Sequence, residues 1–333
     1  MRAKIEIIKY SKLYLPFVED RRSAIVKQVF DLLTREGFRV SDPLPGGTTG
    51  FDIIAKRESL RLIIKVLQNI DTLRNSSALE LIRISKLTYA APLVVGRKAG
   101  GGPLEHGVIY FRHRVPILSP ETFQDYLEGE MPFISSGPGG FYASIDGKRL
   151  HQRREELGYS IGYLSNKIGT SRRSISLYES GSAVTIDVYL KLEEVLGEDL
   201  GKSIDLLDVS RNLEMPPDDS PMDNDFLSEV LNLMMIHGMD FHPVRKFPFD
   251  AVMKETLEEI FLIGLMESLD RNMVRITSMR NISQIFENDS FVISRLHTTR
   301  EHLGGCPVIN LAELRDIREK EKLQILIEKR KLA

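Results

Sequence analysis

Lys148-Arg-Leu-His-Gln-Arg-Arg-Glu-Glu-Leu-Gly158-Tyr-Ser160-Ile-Gly-Tyr-Leu-Ser-Asn-Lys-Ile168-Gly169-Thr-Ser171-Arg-Arg-Ser-Ile175-Ser-Leu-Tyr-Glu179-Ser-Gly181 is punctuated at almost every joint. Apolar spacing predicts a helix from Lys148 to Leu157 that stops at Gly158, a residue suited to the left-handed position after a helix. Ser160 is placed to cap a second helix carrying Leu164 and Ile168, which Gly169 ends. Ser171 caps a third, Arg172 to Glu179, running out at Gly181, and a fourth from Ile186 to Leu196 closes at Gly197. A stop and a fresh cap within three residues set the second and third helices at a steep angle. The third helix opens with two arginines, the side chain best matched to guanine edges and phosphates in a major groove. A small all-α domain that meets DNA is the expectation. The plain alternative, a helical bundle with no such role, would not need a stop and a cap at each joint.

This segment resembles the Cro/C1-type, phage-repressor-like helix-turn-helix family, with apolar positions, caps and the Tyr178-Glu179-Ser-Gly181 ending in register. The resemblance implies that Arg154 and Glu179 form a partly buried pair tying the first helix to the third. It implies that Arg172, Arg173 and Ser176 face bases and that Ser160 sits at the phosphate-facing start of the second helix. Ser171 and Ser174, at the head of the third helix, are counted with the DNA-binding residues. Two positions depart from the family: Ile161 stands where Gln is usual, and Leu177 where a polar reader is common.

The whole chain has 333 residues, 42% hydrophobic and 28% charged, enough for two or three domains with their own cores. Its start, Met1-Arg-Ala-Lys-Ile-Glu, lacks the apolar run of a signal peptide. No segment approaches the ~18 apolar residues of a membrane helix. A cytoplasmic protein without membrane contact is expected. The single cysteine, Cys306, excludes an intramolecular disulfide and a multi-cysteine zinc site. The net charge of −2 is unevenly spread. Seven Lys/Arg against three Glu make Lys148–Ser182 basic by +4, whereas nine acids against Lys202 and Arg211 make Glu198–Asp225 acidic by −7. A localised cationic face is what nucleic-acid binding requires, and the acidic stretch also reads as a solvated linker.

Ser135-Ser-Gly-Pro-Gly-Gly140 reads as a flexible linker, and Met215-Pro-Pro-Asp-Asp-Ser-Pro221 ends a second. They bound three expected domains: 1–134, 141–200 and 222–333. The outer two look like copies of each other. Gly37 matches Gly238, Phe51-Asp52-Ile-Ile-Ala-Lys matches Phe249-Asp250-Ala-Val-Met-Lys, and Pro116-Ile-Leu matches Pro307-Val-Ile. The offset falls from 201 through 198 to 191, so the second copy lacks the Gly-rich Gly96–Pro103 loop. In the first copy, Ser23–Glu36 and Ser77–Tyr89 have helical spacing. Phe51–Lys56, Leu60–Leu67, Leu93–Val95 and Val108–Phe111 read as strands. The fold class expected is α/β (α+β) flanking domains with small mixed sheets around a central all-α helix-turn-helix domain.

An Asp at the start of one strand and a Lys inside the next is similar to the restriction-endonuclease-like and Holliday-junction-resolvase-like fold. That resemblance implies an Asp and a Glu-x-Lys pair holding Mg²⁺ and activating water. Here Asp52 and Lys65 are present, but Ile63 occupies the second carboxylate position; in the second copy Asp250 remains while Leu262 and Gly264 replace the other two. One carboxylate is a poor Mg²⁺ anchor. Both copies are therefore expected to be degenerate, with no catalytic residue, no metal and no cofactor. Three further features read as structural. The Gly100–Pro103 loop lacks the Gly-Lys-Ser/Thr ending of a phosphate loop and suits a hairpin. The histidine pairs 237/242 and 297/302 are spaced wrongly for zinc. The tail Arg315–Lys331 suits a charged helix packed by one face.

Taken together, the chain resembles an archaeal HTH-type transcriptional regulator. It is expected to bind double-stranded DNA as a homodimer through the third helix of its central domain. Two rival readings stay open. One is a structure-specific nuclease in which Glu19 or Glu58 supplies the missing acid. The other is an adaptor that binds the transcription machinery through its flanking domains.

Overall fold

A computed structural model gives the fold of residues 22–42, 50–217, 224–236, 238–254, 259–267, 273–317 and 319–331. The N-terminal region builds α1 (Arg22–Arg35), β1 (Arg39–Val40), β2 (Ile53–Arg57), β3 (Leu60–Asn69), α2 (Asn75–Thr88) and β4 (Ala91–Ala99). There follow β5 (Gly102–Pro103), β6 (Val108–Arg112), β7 (Val115–Leu118) and α3 (Pro120–Leu127). Each expected helix and strand is there. β4 is the one markedly longer, because Ala91 to Gly96 are buried on both faces and show no alternation to read. α3 starts where Ser119 accepts from the Thr122 amide at 3.1 Å and Pro120 fills the first helical position.

Next come β8 (Ile134–Gly137), β9 (Gly140–Ala143), α4 (Gly147–Glu156), α5 (Ile161–Ile168), α6 (Arg172–Glu179), β10 (Val184–Thr185), α7 (Ile186–Leu196) and α8 (Leu206–Arg211). The expected linker at 135–140 is instead a β-hairpin: β8 pairs in parallel with β6 and antiparallel with β9. Glycine and proline suit a tight turn as well as a flexible tether, and here Pro138 and Gly139 (φ 87°) make the turn while Gly140 (φ 144°) opens β9 opposite Gly137. β9 then pairs with β10, Tyr142 opposite Thr185, so the ladder runs into the connection between α6 and α7. Phe133 packs its ring, tilted by 45°, against buried Tyr189 of α7 with centroids 5.3 Å apart. The central helices are therefore fastened to the strands before them.

The C-terminal region comprises α9 (Asp225–Ile236), β11 (Asp240–Pro243), β12 (Ala251–Lys254), β13 (Ile260–Met266), α10 (Met273–Phe286), β14 (Asp289–Ser294), β15 (His302–Leu303), β16 (Cys306–Asn310), α11 (Leu311–Asp316) and α12 (Lys320–Lys331). Its sheet runs β11-β12-β13-β14-β16-β15, with β13, β14 and β16 parallel. β13 is buried along its whole length, as its unbroken apolar run requires. The tail is two helices and not one. Ile317, 8% exposed, turns inward in extended conformation, and Arg330 returns to Glu313 at 2.7 Å. The start of the second expected linker is packed and not a tether: α8 buries Leu206, and Asp205 accepts from Tyr126 Oη at 3.1 Å, while residues 218–223 lie outside the described residues.

The described residues form two compact units, one of 22–25, 67–73 and 94–213, the other of 26–66, 74–93 and 214–331. Within the second unit the N- and C-terminal α/β segments meet in a repeated way. Lys56, at the end of β2, pairs with Glu287, the residue after α10. Lys254, at the end of β12, donates to the Lys86 carbonyl at 3.1 Å and lies 4.4 Å over the ring of Tyr89, the residue after α2. Lys56 and Lys254 are 198 apart, as are Tyr89 and Glu287, and the latter two both have left-handed backbone (φ 52° and 56°). Phe51 and Phe249 flank Phe247 at 5.4 and 5.7 Å in the same unit. Among the described residues no helix is long and apolar enough to cross a membrane.

Candidate nucleic-acid interface

The four central helices have the bounds the sequence predicts to within a residue. Their core is Leu150, Leu164, Ile168, Ile175, Tyr189, Leu192 and Leu196, all at most 1% exposed. Ser160 Oγ accepts from the Tyr163 amide at 3.1 Å and Ser171 Oγ from the Ser174 amide at 3.0 Å, so both serines cap helices. The hydroxyls of Ser171 and Ser174 lie 2.8 Å apart. Gly169, in left-handed conformation (φ 72°), ends α5 one turn before α6 begins.

Ile175 of α6 is fully buried, and Tyr178 and Glu179 are partly covered. That leaves Arg173, Ser176, Leu177 and Ser180, spaced i, i+3, i+4 and i+7, as one exposed stripe. Ser176 donates back to the Arg172 carbonyl at 3.3 Å and Ser180 to the Leu177 carbonyl at 2.7 Å. Their oxygens therefore face outward as acceptors. Arg172 is exposed too, but its guanidinium folds against Gly162 of α5. A Cβ there would meet Arg172 Nε and Nη2 at 3.0 Å, so the glycine makes room for the arginine.

The network behind this face is closed. Arg154, 6% exposed, gives Nε to Glu179 Oε1 at 2.5 Å and Nη1 to the Tyr159 carbonyl at 2.8 Å. His151 Nδ1 reaches Glu179 Oε2 at 2.9 Å. Burial pushes the Glu179 carboxyl up, but the hydrogen bonds from Arg154 and His151 outweigh it and hold the group below the usual carboxylate range. The same contact raises Arg154. Arg149 and Arg153 are both engaged by Glu198 and Glu156. Of the seven basic residues counted in the sequence, Lys148, Lys167, Arg172 and Arg173 make no ion pair among the described residues. Lys167 lies 5.7 Å over the ring of Tyr163, itself 44% exposed. The positive face is thus narrower than the charge count implies.

The nuclease-like positions are built differently. Asp52, 2% exposed, accepts from the Val66 amide at 2.7 Å, and Lys65 Nζ stands 3.8 Å from it. Asp250 does the same in the C-terminal region, accepting from the Leu265 amide at 2.7 Å with Arg275 at 2.7 Å as its cation. Ile63 is fully buried. Glu58 sits exposed in the turn between β2 and β3, at the far end of β2 from Asp52. Five residues of strand span roughly 16 Å, so Glu58 cannot supply the missing carboxylate. Glu19 lies outside the described residues. Asp71 accepts from the Gly100 amide at 2.5 Å and from Arg112 at 2.7 Å, so a carboxylate of the chain occupies the Gly-rich hairpin. His302 belongs to β15 and His297 to the connection between β14 and β15, not to one helix, and His237 lies outside the described residues. No group of three or more His, Cys, Asp or Glu suited to a metal occurs among the described residues.

Sequence reading missed the β9–β10 ladder, whose strand of two residues has no periodicity to detect.

This arrangement defines a helix-turn-helix protein that also carries an α/β nuclease-like region. A family described as the PD-(D/E)XK superfamily domain matches residues 22–132, and one described as helix-turn-helix matches residues 150–202. A protein of Thermoplasma acidophilum, named "Putative HTH-type transcriptional regulatory protein", is 42% identical over 94% of this chain and 99% of its own length. Relatives with the same designation occur in Picrophilus torridus, 42% identical over 93% of this chain and 98% of the relative. One in Methanocaldococcus jannaschii is 36% identical over 88% and 92%. The chain belongs to this family of archaeal HTH-type transcriptional regulatory proteins. No solved structure matches it.

Proposed function

We propose that this protein is a sequence-specific regulator that binds double-stranded DNA as a homodimer, in the cytoplasm, with α6 in the major groove. The observation that carries this reading is the exposed stripe of α6 headed by Arg173, with Arg172 beside it, both without an ion pair among the described residues, on a domain whose other arginines are held by carboxylates. In it Arg172 and Arg173 contact guanine edges or phosphate. Ser176 accepts from a base, and Ser160, Ser171 and Ser174 bring the helix starts to the backbone. The Arg154–Glu179 pair sets the angle between α4 and α6. Domains at 1–134, 141–200 and 222–333 remain our division of the chain, the outer two acting as scaffolds without catalysis. Dimerisation follows from the need for two half-sites one helical turn apart.

Selection of bound sequences from a random duplex pool should return a motif with two related half-sites. Replacing Arg172 and Arg173 with Ala should weaken binding by about 1–3 kcal/mol for each one that reads a base. Sedimentation should show two chains per duplex. Undiminished affinity in the folded double mutant would remove α6 from the mechanism, and a single chain per site would remove the dimer.

A further inference from the structure

We infer that Leu177 is a specificity determinant that reads the 5-methyl group of a thymine, an inference resting on the regulator reading above. Leu177 is 48% exposed in the middle of a polar helix face. It lies one turn beyond Arg173 and beside Ser176, so whatever Arg173 touches, Leu177 meets the next step along the groove. The face is cationic at its start, which suits a polyanion better than an apolar protein partner. The apolar group that a major groove offers at base-pair height is the thymine methyl; the other edges are donors and acceptors, against which leucine would leave polar atoms unpaired. The hydroxyls of Ser176 and Ser180 spend their protons on backbone carbonyls, so the neighbouring oxygens favour the amino groups of adenine or cytosine. The stripe therefore spells a guanine for Arg173 and a thymine for Leu177, with an amino-bearing base beside them.

The test uses the full chain and the duplex recovered by selection. Each thymine is replaced in turn by deoxyuridine, which removes only the methyl group. One position per half-site should lose roughly four-fold in affinity, the size of one buried methyl. Leu177→Ala should bind more weakly and should no longer distinguish thymine from deoxyuridine there, while Arg173→Ala keeps that distinction. 5-Methylcytosine paired with guanine at the same position should bind better than unmethylated cytosine to the parent protein but not to Leu177→Ala. Because Leu177 is at the surface, the variant keeps its fold, checked by unchanged unfolding. A motif whose thymines all tolerate deoxyuridine would overturn the assignment alone. A pool without any motif would overturn it together with the regulator reading.

Discussion

Arg154 and Glu179 show how much one side-chain pair can decide. Both are nearly covered, and their contact joins α4 to the last turn of α6. Removing one partner strands the other charge, so Arg154→Ala should destabilise the domain by up to about 3–5 kcal/mol, read from denaturant unfolding. A variant that unfolds like the parent yet fails on DNA would make Arg154 a DNA contact instead. The pair also has a pH signature. The Glu179 carboxyl is held below its unfolded value, so its contribution is complete above the ordinary carboxylate range near pH ~4.3 and is lost as pH falls through the lower, folded value. Melting temperature should therefore fall more steeply below that range in the parent than in Glu179→Gln; parallel curves would contradict the pairing. The existence of this pair was legible from resemblance alone. That His151 shares it was not, because the contact depends on how α4 rolls against α6.

At the scale of elements, the hairpin of β8 and β9 separates two pictures of the central domain. Were 135–140 a tether, Gly140 could be replaced without effect. With φ at 144° where the closed turn enters β9, Gly140→Ala should cost about 1–3 kcal/mol. Unchanged unfolding would restore the tether. The helices were readable because caps and stops are local: a serine bonding an amide two or three residues on needs nothing from the rest of the chain. Short strands such as β10 were not, since two residues become a strand only when a partner arrives. The reciprocal lysine contacts in the second unit are of that kind too. Lys56 and Arg39 hold the Glu287 carboxyl down at about 2, so its share of stability is present above pH ~4.3 and fades as pH drops toward 2. More than half of that side chain is exposed, which limits its worth to about 1 kcal/mol or less. Glu287→Gln should abolish this small acid-dependent loss; a loss of equal size in the variant would assign it to other carboxylates.

For the whole molecule, the question is whether the nuclease-like region still cuts. Asp52 and Asp250 make the same contact in the N- and C-terminal regions, each closing its own hairpin by accepting an amide on the neighbouring strand. We expect no cleavage of duplex, single-stranded or four-way-junction DNA with Mg²⁺, nor with Mn²⁺, which tolerates poorer sites. Asp52→Ala should instead lower stability by about 1–3 kcal/mol, the cost of leaving the Val66 amide unsatisfied. Nicking by the parent that Asp52→Ala together with Lys65→Ala abolishes would make the protein an enzyme.

The sequence alone determined the helices of the central domain, their caps and the class of fold, because these follow from hydrogen bonds and apolar spacing within a few residues. It also shows Ile63 two residues before Lys65, since the residue type at a position is visible in any conformation. The tertiary structure decided which cations remain available. Arg149 and Arg153 look as free in the sequence as Arg172, yet Glu198, more than forty residues on, takes hold of both. It also decided that the glycine-rich stretch is a hairpin, and that Lys56 and Lys254 each reach the end of a helix in the other α/β segment of the second unit. Such contacts join residues far apart in the chain. Their energies depend on distances that only the folded backbone sets, so no local pattern announces them.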